Sequence, residues 1–384
     1  MRLLHTSDWH LGRSFHSEGL LGAQSQFIDH LVETAVAERV DAVVVSGDIY
    51  DRALPAVDAV ELASEALRRL LSARVRVVIT SGNHDSASRL GFASDLIDMA
   101  GIHLRTHPSS VGSPVIVSDA YGEVAIYGVP YLEPDLVRES WQLEGRSHQV
   151  VLGEAMRRVH VDLAGRAKST RSVVMAHAFV VGAAPCDSER DISVGGVSSV
   201  GLATFSGVDY AALGHLHGRH TLTEHVRYSG SPLAYSFSEG RHVKGSWLVE
   251  LGADGLSHVE FVTAPVPRPL ASVSGTLDDL LTQDRFAFAE RSWVQATLTD
   301  RCRPKIPMDR LRTRFPHALV LKFEPSPSCN DPATQLSDKV VGRSDAEVVA
   351  NFFTDVRGSP LGDEEAALMS DACDACRVQE DAAS

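Results

Sequence analysis

Residue types that bind metal ions recur in five short motifs within the first 217 residues, and each motif follows an apolar run. In chain order the motifs are Asp8-x-His10, Gly47-Asp48, Gly82-Asn83-His84-Asp85, His177 and Gly214-His215-Leu216-His217. The preceding apolar runs, each predicted to be a strand, are residues 3–4, 42–45, 75–79, 173–175 and 211–213. Because ligands bind at the carboxyl ends of strands in open α/β sheets, the motifs are expected to converge on one site.

The types of these residues indicate which ions would bind. Asp8 and His10 are two positions apart, so an extended backbone points both side chains to one side, as it does for His215 and His217. This donor set suits Mn²⁺, Fe²⁺ or Zn²⁺ better than Mg²⁺, because it combines imidazoles, carboxylates and the Asn83 amide and contains no thiolate. We therefore predict two divalent ions, most favourably Mn²⁺. The predicted ligands are Asp8, His10, Asp48, Asn83, His177, His215 and His217.

Asp48 and His84 have the most specific predicted roles. Asp48 stands alone at its strand end, and the two oxygens of its carboxylate can bridge both ions. Two ions roughly 3.5 to 4 Å apart activate water and bind the oxygens of a phosphoryl group. His84, next to the ligand Asn83, can protonate the leaving oxygen or stabilise the developing charge. The motifs thus predict hydrolysis of a phosphate ester, and Asp48→Asn as the most damaging ligand change.

Each motif has an ordinary structural interpretation when taken alone. A single buried histidine, such as His177, is usually a hydrogen-bonded core residue, and Gly-Asp and Gly-Asn are common turn dipeptides. His5, His30 and His103 are interpreted in this way. The fixed order of five motifs, each at the end of an apolar run, is what favours a metal site.

Strand patterns alternate with amphipathic helices, which is typical of parallel pairing with crossover helices. One helical stripe contains Phe27, Leu31 and Ala35, and a further helix is predicted over residues 150–164. The strand patterns at residues 226–229, 247–251 and 259–262 predict an antiparallel series that closes the sheet.

Three prolines, Pro265, Pro267 and Pro269, predict a stiff connection between domains. We predict a catalytic domain over residues 1–264, a small α+β capping domain over 270–343 and a helical tail over 344–384. Val349, Phe353 and Val356 form an apolar stripe on the tail. This stripe either binds a partner or packs on the chain's own domain.

Composition restricts the class of protein more than the activity. With 44% hydrophobic and 22% charged residues, the chain has the composition of a soluble globular protein. Its 384 residues predict two domains, or one large domain with an appendage. A net charge of −14 is unfavourable for nucleic-acid binding, although bound cations would offset it locally and much of the acidic excess lies in the tail. Neither a signal peptide nor a membrane span is expected.

The cysteines do not form a disulfide framework, since five occur without paired spacing. A cytoplasmic, nucleoid-associated location is predicted. Cys373 and Cys376 form an isolated CxxC motif. It is interpreted as two small apolar side chains on a helix, with a zinc or redox role as the alternative.

The order of the five motifs resembles the calcineurin-like metallophosphoesterase superfamily. Within it, four longer segments are similar to bacterial SbcD-type nuclease subunits: residues 5–12 (HTSDWHLG), 46–52 (SGDIYDR), 82–86 (GNHDS) and 228–232 (YSGSP). The resemblance covers residues 1 to about 265 closely. It implies a two-sheet α/β sandwich flanked by helices, with a small α+β cap and a helical tail.

The resemblance also implies individual roles. It assigns one ion to Asp8, His10, Asp48 and His217, and the other to Asp48, Asn83, His177 and His215. His84 matches the catalytic histidine. Asp51 stands where archaeal and eukaryotic relatives carry a second histidine; it is predicted to orient His84, or else to serve a helix cap or turn. Three further residues are candidate contacts to DNA phosphates or solvated surface residues: Arg13, His16 and Arg89.

The implied activity is 3′-to-5′ exonuclease action on double-stranded DNA ends and endonuclease action at hairpins or blocked ends. A homodimer bound to two SbcC-type ATPase subunits would act in DNA repair, recombination and replication. Two alternatives remain open. The chain could be a small-molecule phosphodiesterase or phosphatase with the same ions, or a DNA-end scaffold subunit, although a scaffold has no need of His84 beside Asn83.

Overall fold

The computed structural model describes residues 1–190, 192, 199–325, 343–357 and 359–383. The strands of these residues are β1 (Arg2–Thr6), β2 (Ser14–Phe15), β3 (Glu18–Gly19), β4 (Ala42–Ser46), β5 (Arg76–Thr80), β6 (Ile102–Arg105), β7 (Val115–Asp119), β8 (Gly122–Val129), β9 (Arg171–His177), β10 (Phe179–Val180), β11 (Ser199–Val200), β12 (Tyr210–Gly214), β13 (His220–Thr221), β14 (Val226–Tyr228), β15 (Gly245–Gly252), β16 (Gly255–Thr263), β17 (Leu270–Gly275), β18 (Trp293–Leu298) and β19 (Ala318–Phe323).

The α-helices of the same residues are α1 (Leu21–Ala37), α2 (Val57–Ser72), α3 (Ala87–Leu90), α4 (Ser94–Asp98), α5 (Pro134–Ser140), α6 (His148–Ala164), α7 (Leu277–Thr282), α8 (Pro307–Arg312), α9 (Asp345–Arg357) and α10 (Asp363–Ala383). Helix α9 begins with a capping box, in which Ser344 and Glu347 exchange reciprocal hydrogen bonds. None of the described helices has the length and apolar character needed to cross a membrane.

Two six-stranded sheets form the α/β sandwich that the family resemblance implies. One has the order β16-β15-β1-β4-β5-β6 and the other β13-β14-β12-β9-β8-β7. Strands β1, β4, β5 and β6 are parallel, as are β8, β9, β12 and β14. The parallel strands therefore end at the same edge of each sheet, which is where the motifs lie.

Successive residues of a strand point to opposite faces of its sheet, and both faces of each sheet are covered. In β1, Leu3 packs between the two sheets, whereas Leu4 packs against the layer that contains α1 and α2. In β9, Val173 likewise points between the sheets and Val174 toward the layer that contains α6. Strands covered on both sides are apolar throughout, which is the pattern seen in the sequence.

Two polar side chains, His5 and Ser46, form hydrogen bonds between the sheets through this apolar layer. The ring of His5 lies 2.9 Å from the Tyr210 hydroxyl and 3.1 Å from the Leu213 carbonyl oxygen. The Ser46 hydroxyl donates to the Ala212 carbonyl at 2.8 Å. Both contacts lie close to the motif-bearing strand ends, so they help to hold the two halves of the site in register.

The predicted antiparallel closing series is wrong in one member. β15 and β16 are antiparallel to each other and extend the first sheet beside β1. β14, however, lies in the second sheet and runs parallel to β12. A short strand pattern predicts a strand without identifying its neighbour, because pairing depends on contacts distant in sequence.

The chain divides into two compact units. The first comprises Met1–Val273, Asp284–Ala296 and Arg312–Val320, and contains both six-stranded sheets. The second comprises Ser274–Gln283, Thr297–Leu311 and Leu321–Ser384, and contains α7 to α10. Strands β17, β18 and β19 form a separate three-stranded sheet in that order.

Candidate metal centre

All seven predicted ligands lie at or just beyond the carboxyl ends of parallel strands. Asp8 and His10 follow β1, Asp48 follows β4, and Asn83 follows β5. In the second sheet, His177 ends β9, and His215 and His217 follow β12. Backbone hydrogen bonds join the first two loops, from the N–H of Asp8 to the Gly47 carbonyl and from that of His10 to the Asp48 carbonyl.

The backbone is strained at four of these residues. Asp8, His10, Asp48 and His215 have φ values of 54°, 45°, 51° and 100°. For residues with a side chain, such conformations cost on the order of 1–3 kcal/mol each and persist only where the surroundings impose them. Their concentration at one edge of the sandwich marks that edge as a functional site.

The donor atoms of these side chains converge. His10 Nε2 lies 3.0 Å from His217 Nε2. Asn83 Oδ1 lies 2.8 Å from His177 Nε2 and 3.2 Å from His215 Nδ1. Between these groups, Asp48 Oδ2 is 3.6 Å from His10 Nε2 and 3.5 Å from His177 Nε2. Asp48 therefore occupies the position that a carboxylate shared by two ions would require.

Electrostatics show that the donor set fits cations. Burial raises the pKa of Asp8 well above its usual range, and the neighbouring Asp48 carboxylate raises it further. Burial raises the pKa of Asp48 to about 6, against the opposing charges of His84, Arg190 and Arg13. Burial also lowers the pKa of His177 to about 4, which leaves its imidazole neutral. Buried carboxylates among neutral imidazoles lack positive charge, and divalent ions would supply it.

Outer hydrogen bonds orient the donors. His177 Nδ1 lies 2.9 Å from the Ser46 carbonyl oxygen, so it carries the proton and Nε2 faces the site with a free lone pair. Asp8 accepts from the Ser7 hydroxyl at 2.5 Å and from the His215 backbone N–H at 3.0 Å. These contacts hold the ligands in place before any ion binds.

Close approach of the loops requires glycine at two positions. A Cβ atom at Gly82 would overlap the Asp48 carboxylate. One at Gly47, where φ is +87°, would overlap the His177 ring. Asp85 fixes the same loops, because its carboxylate accepts from the backbone N–H groups of Ile49, Tyr50 and Gly82 at 2.9–3.1 Å. The glycines in these motifs are therefore needed for the close packing of the site.

His84 is buried at the centre of the site. Its backbone N–H donates to Asp48 Oδ1 at 2.8 Å, and its Nδ1 lies 2.8 Å from the Asp51 backbone carbonyl oxygen. Asp51 thus contacts His84 through its backbone. Its carboxylate instead lies 3.7 Å from His10 Nδ1 and 3.4 Å from Arg13 Nη1.

The three predicted DNA-contacting residues lie in different surroundings. Arg13 is largely buried, donates to the Ser188 carbonyl at 2.9 Å and lies over the Tyr235 ring. His16 is exposed beside Phe15 and Phe237. Arg89 is exposed and donates to the Ala53 carbonyl at 3.2 Å.

Sequence reasoning missed several residues at the site. Arg190 is exposed and lines a cleft of about 250 Å³ together with His215 and Glu189. Ser188 and Glu239 lie behind His217. No spacing in the sequence links them to the motifs. The only local signal is the polar, charged run at residues 187–190, which lies between the His177 and His215 motifs.

Two family models match the sequence. Residues 1–219 match the calcineurin-like phosphoesterase model. Residues 266–357 match the SbcD_C model, described as the type 5 capsule protein repressor C-terminal domain. The first match contains all seven predicted ligands and His84.

Similar solved structures include TT1561 of Thermus thermophilus, with 14% identity, a TM-score of 0.40, and coverage of 69% of this chain and 99% of that one. A dimetal phosphatase from Danio rerio has 16% identity and a TM-score of 0.41, with coverage of 69% and 99%. GAP50, the anchor in the inner membrane complex of Plasmodium, has 12% identity and a TM-score of 0.40, with coverage of 85% and 98%.

Proposed function

We propose that this chain, which belongs to the calcineurin-like phosphoesterase family, is a metal-dependent DNA nuclease of the SbcD type. The observation that carries the proposal is that the seven converging donor residues and a match to the SbcD_C model occur in the same chain. The proposed activity is 3′-to-5′ exonuclease action on double-stranded ends and endonuclease action at hairpins.

The proposed metal ligands are those brought together at the strand ends. Asp8, His10 and His217 offer donor atoms within 4.8 Å of one another, and so do Asp8, Asp48 and His177. Two divalent ions bound there would activate water and neutralise the phosphoryl oxygens. The mixed oxygen and nitrogen donors make Mn²⁺ our first choice.

His84 is proposed as the group that moves a proton. Its Nδ1–H donates to the Asp51 carbonyl, which fixes the ring and leaves Nε2 as the reactive atom. Burial lowers the pKa of His84, so its cationic form is a stronger acid than ordinary histidine. In that form, Nε2 can protonate the leaving 3′ oxygen of a phosphodiester while the Nδ1 contact is kept.

Arg190 is proposed as a contact to the DNA backbone. It is exposed at the cleft that includes His215, and its charge acts on both Asp48 and His84. Arg13 is less available, because it is already bonded to the 186–190 segment. Arg190 thus supplies local positive charge despite the overall charge of −14. Residues 270–343 are proposed as the DNA-binding cap, although 326–342 lie outside the residues that the structure describes.

Self-association is supported by an apolar groove in the first unit. The groove has a volume of about 480 Å³ and is lined by residues that include Leu54, Val60 and Phe92. Phe92 is 79% exposed, and Met99, just after α4, is 90% exposed. Apolar side chains of this size, clustered in one region, are typical of a protein interface. We propose that a second copy of the chain covers them.

The tail is proposed to bind the ATPase partner. Of the predicted stripe, Val356 is mostly exposed, whereas Val349 and Phe353 are partly buried. Phe352, one turn before Val356 on α9, is mostly exposed as well. The SbcD_C match extends to residue 357, so it includes this helix. An SbcC-type ATPase bound there would complete a heterotetramer in the cytoplasm.

Digestion of an end-labelled linear duplex with Mn²⁺ tests the function. We expect metal-dependent shortening from the 3′ end that is lost in His84→Ala and Asp48→Asn and stimulated by the ATPase with ATP. His258→Ala, at an exposed histidine on β16, is the matched control. Turnover of a small phosphodiester without DNA cleavage would favour the phosphodiesterase alternative. End binding without any hydrolysis would favour the scaffold.

A further inference from the structure

A buried ion pair lies directly behind the proposed ligand His217. Lys244 Nζ and Glu239 Oε2 are 2.5 Å apart, and their side chains are only 5% and 0% exposed. Lys244 also donates to the His217 carbonyl at 2.8 Å and to the Ser231 hydroxyl at 2.9 Å, so all three of its N–H groups are used. Charges this deeply buried are unfavourable unless they are paired, and this pair lies against the metal centre.

The second oxygen of Glu239 connects the ion pair to the His217 ring. Glu239 Oε1 accepts from the Ser188 hydroxyl at 2.5 Å. The same hydroxyl oxygen lies 2.6 Å from His217 Nδ1. Among the described residues, the Ser188 hydroxyl is therefore what links the carboxylate to the imidazole by hydrogen bonds, since Glu239 Oε1 itself is 3.8 Å from Nδ1.

The ion pair determines the direction of this hydrogen-bond chain. A carboxylate held against an ammonium group is ionised and only accepts hydrogen bonds. The Ser188 proton must then point to Glu239, which leaves the Ser188 oxygen as an acceptor for His217 Nδ1–H. With its proton on Nδ1, neutral His217 presents the lone pair of Nε2 toward His10 Nε2, 3.0 Å away.

The backbone of His217 is held by the same segment. Its N–H donates to Glu189 Oε1 at 2.5 Å, and its carbonyl accepts from Lys244. Arg13, next to the first metal motif, holds the other side of the segment through the Ser188 carbonyl. The 186–190 segment thus joins the His217 loop to the Asp8–His10 loop.

We propose that Ser188, Glu239 and Lys244 are positioning residues that set the tautomer of His217 and so prepare one metal site for binding. The inference rests on the proposed metal centre and adds residues that no sequence motif contains. A pair that served only the fold would stabilise the metal-free protein without affecting ion affinity. Residues that position His217 would instead change the ion affinity of the site that contains it.

The test is calorimetric titration of the full-length, metal-free chain with Mn²⁺. Ser188→Ala removes the link but leaves the Lys244–Glu239 pair intact, so the chain is expected to fold. We expect affinity at one of two sites to fall by about 10- to 100-fold, the usual effect of losing an outer contact to a ligand. Ser188→Thr keeps the hydroxyl and should restore the affinity. Ser257→Ala, at an exposed hydroxyl on β16, is the control.

The outcomes separate this inference from the proposed function. Wild-type affinity in Ser188→Ala, with two ions bound, would overturn the positioning role and leave the metal centre standing. Equal loss at both sites with a lowered melting temperature would also overturn it, because that result describes general destabilisation. A wild-type chain that binds no Mn²⁺ would overturn the metal centre and the positioning role together.

Discussion

The two ends of strand β9 differ in whether the nearby carboxylates have positively charged partners. At its start, Arg171 is almost fully buried and forms two hydrogen bonds to the Asp119 carboxylate, at 2.6 and 2.9 Å. At its other end, His177 lies among the buried carboxylates of Asp8 and Asp48. Within the described part of the chain, neither of these carboxylates forms an ion pair with lysine or arginine.

A buried carboxylate that is paired with an arginine stabilises the fold, whereas buried carboxylates without such a partner are available to bind a cation. The Asp119 carboxylate has its positively charged partner within the protein, and the hydrogen bonds from Arg171 hold its pKa well below its usual range. Asp8 and Asp48 are desolvated without such partners, and their pKa values are raised. Replacing a carboxylate should therefore have opposite effects on stability at the two ends of the strand.

The largest effect is expected for Asp48→Asn. Turnover of duplex DNA should fall on the order of 10³-fold or more, because several kcal/mol of charge stabilisation by the ions is lost. The metal-free protein should melt at the wild-type temperature or higher, since an unpaired buried charge is removed. Cleavage assays with Mn²⁺ and thermal denaturation in chelator measure the two effects. A metal-free variant that melts several degrees lower would contradict the comparison.

His84→Ala should reduce turnover by about 10² to 10⁴-fold, the range for a general acid. Affinity for Mn²⁺ should stay near the wild-type value, because the proposed ligands remain. Single-turnover cleavage and calorimetry give the two quantities, with His258→Ala as the control. Loss of one bound ion in His84→Ala would instead make His84 a ligand, which its proximity to His10 and Asp48 permits.

Asp119→Asn should destabilise the protein by about 3 kcal/mol, because it leaves the Arg171 guanidinium buried without its counter-charge. Turnover per folded molecule should not change, as the residue is at the opposite end of the strand from His177. Urea denaturation measures the loss of stability. Asp254→Asn, at an exposed turn between β15 and β16, should change stability by less than about 0.5 kcal/mol.

The smallest effect is expected in the pH dependence of the stability difference between wild type and Asp119→Asn. Because the pKa of Asp119 is lower in the folded protein, its contribution is fully present above its unfolded pKa of about 4. The contribution is lost as the pH falls below that value toward the folded pKa. The stability gap between wild type and Asp119→Asn should be constant from pH 6 to 8 and about 1 kcal/mol smaller near pH 3. A gap that widens in acid would show that Asp119 is not the group responsible.

Much of the fold and site could be predicted because the signals are local. Phe27, Leu31 and Ala35 repeat at helical spacing, and all three are buried on α1. The ligand motifs directly follow their strands, so parallel pairing is enough to bring them together. The partner of β14 was not predictable, because a strand of three residues does not distinguish one sheet from the other.

The sequence by itself determined the alternation of strands with amphipathic helices, the order of the motifs and the chemical type of the donors, because each depends on residues close together in the chain. The two-sheet sandwich was implied only by the resemblance of the motif order to a known superfamily. Only the tertiary structure decided that Asp51 contacts His84 through its backbone while its carboxylate lies beside Arg13. It also decided that Ser188 and Glu239, 51 positions apart, meet behind His217. Side-chain hydrogen bonds between distant segments depend on how loops fold together, and no periodicity of the sequence records that.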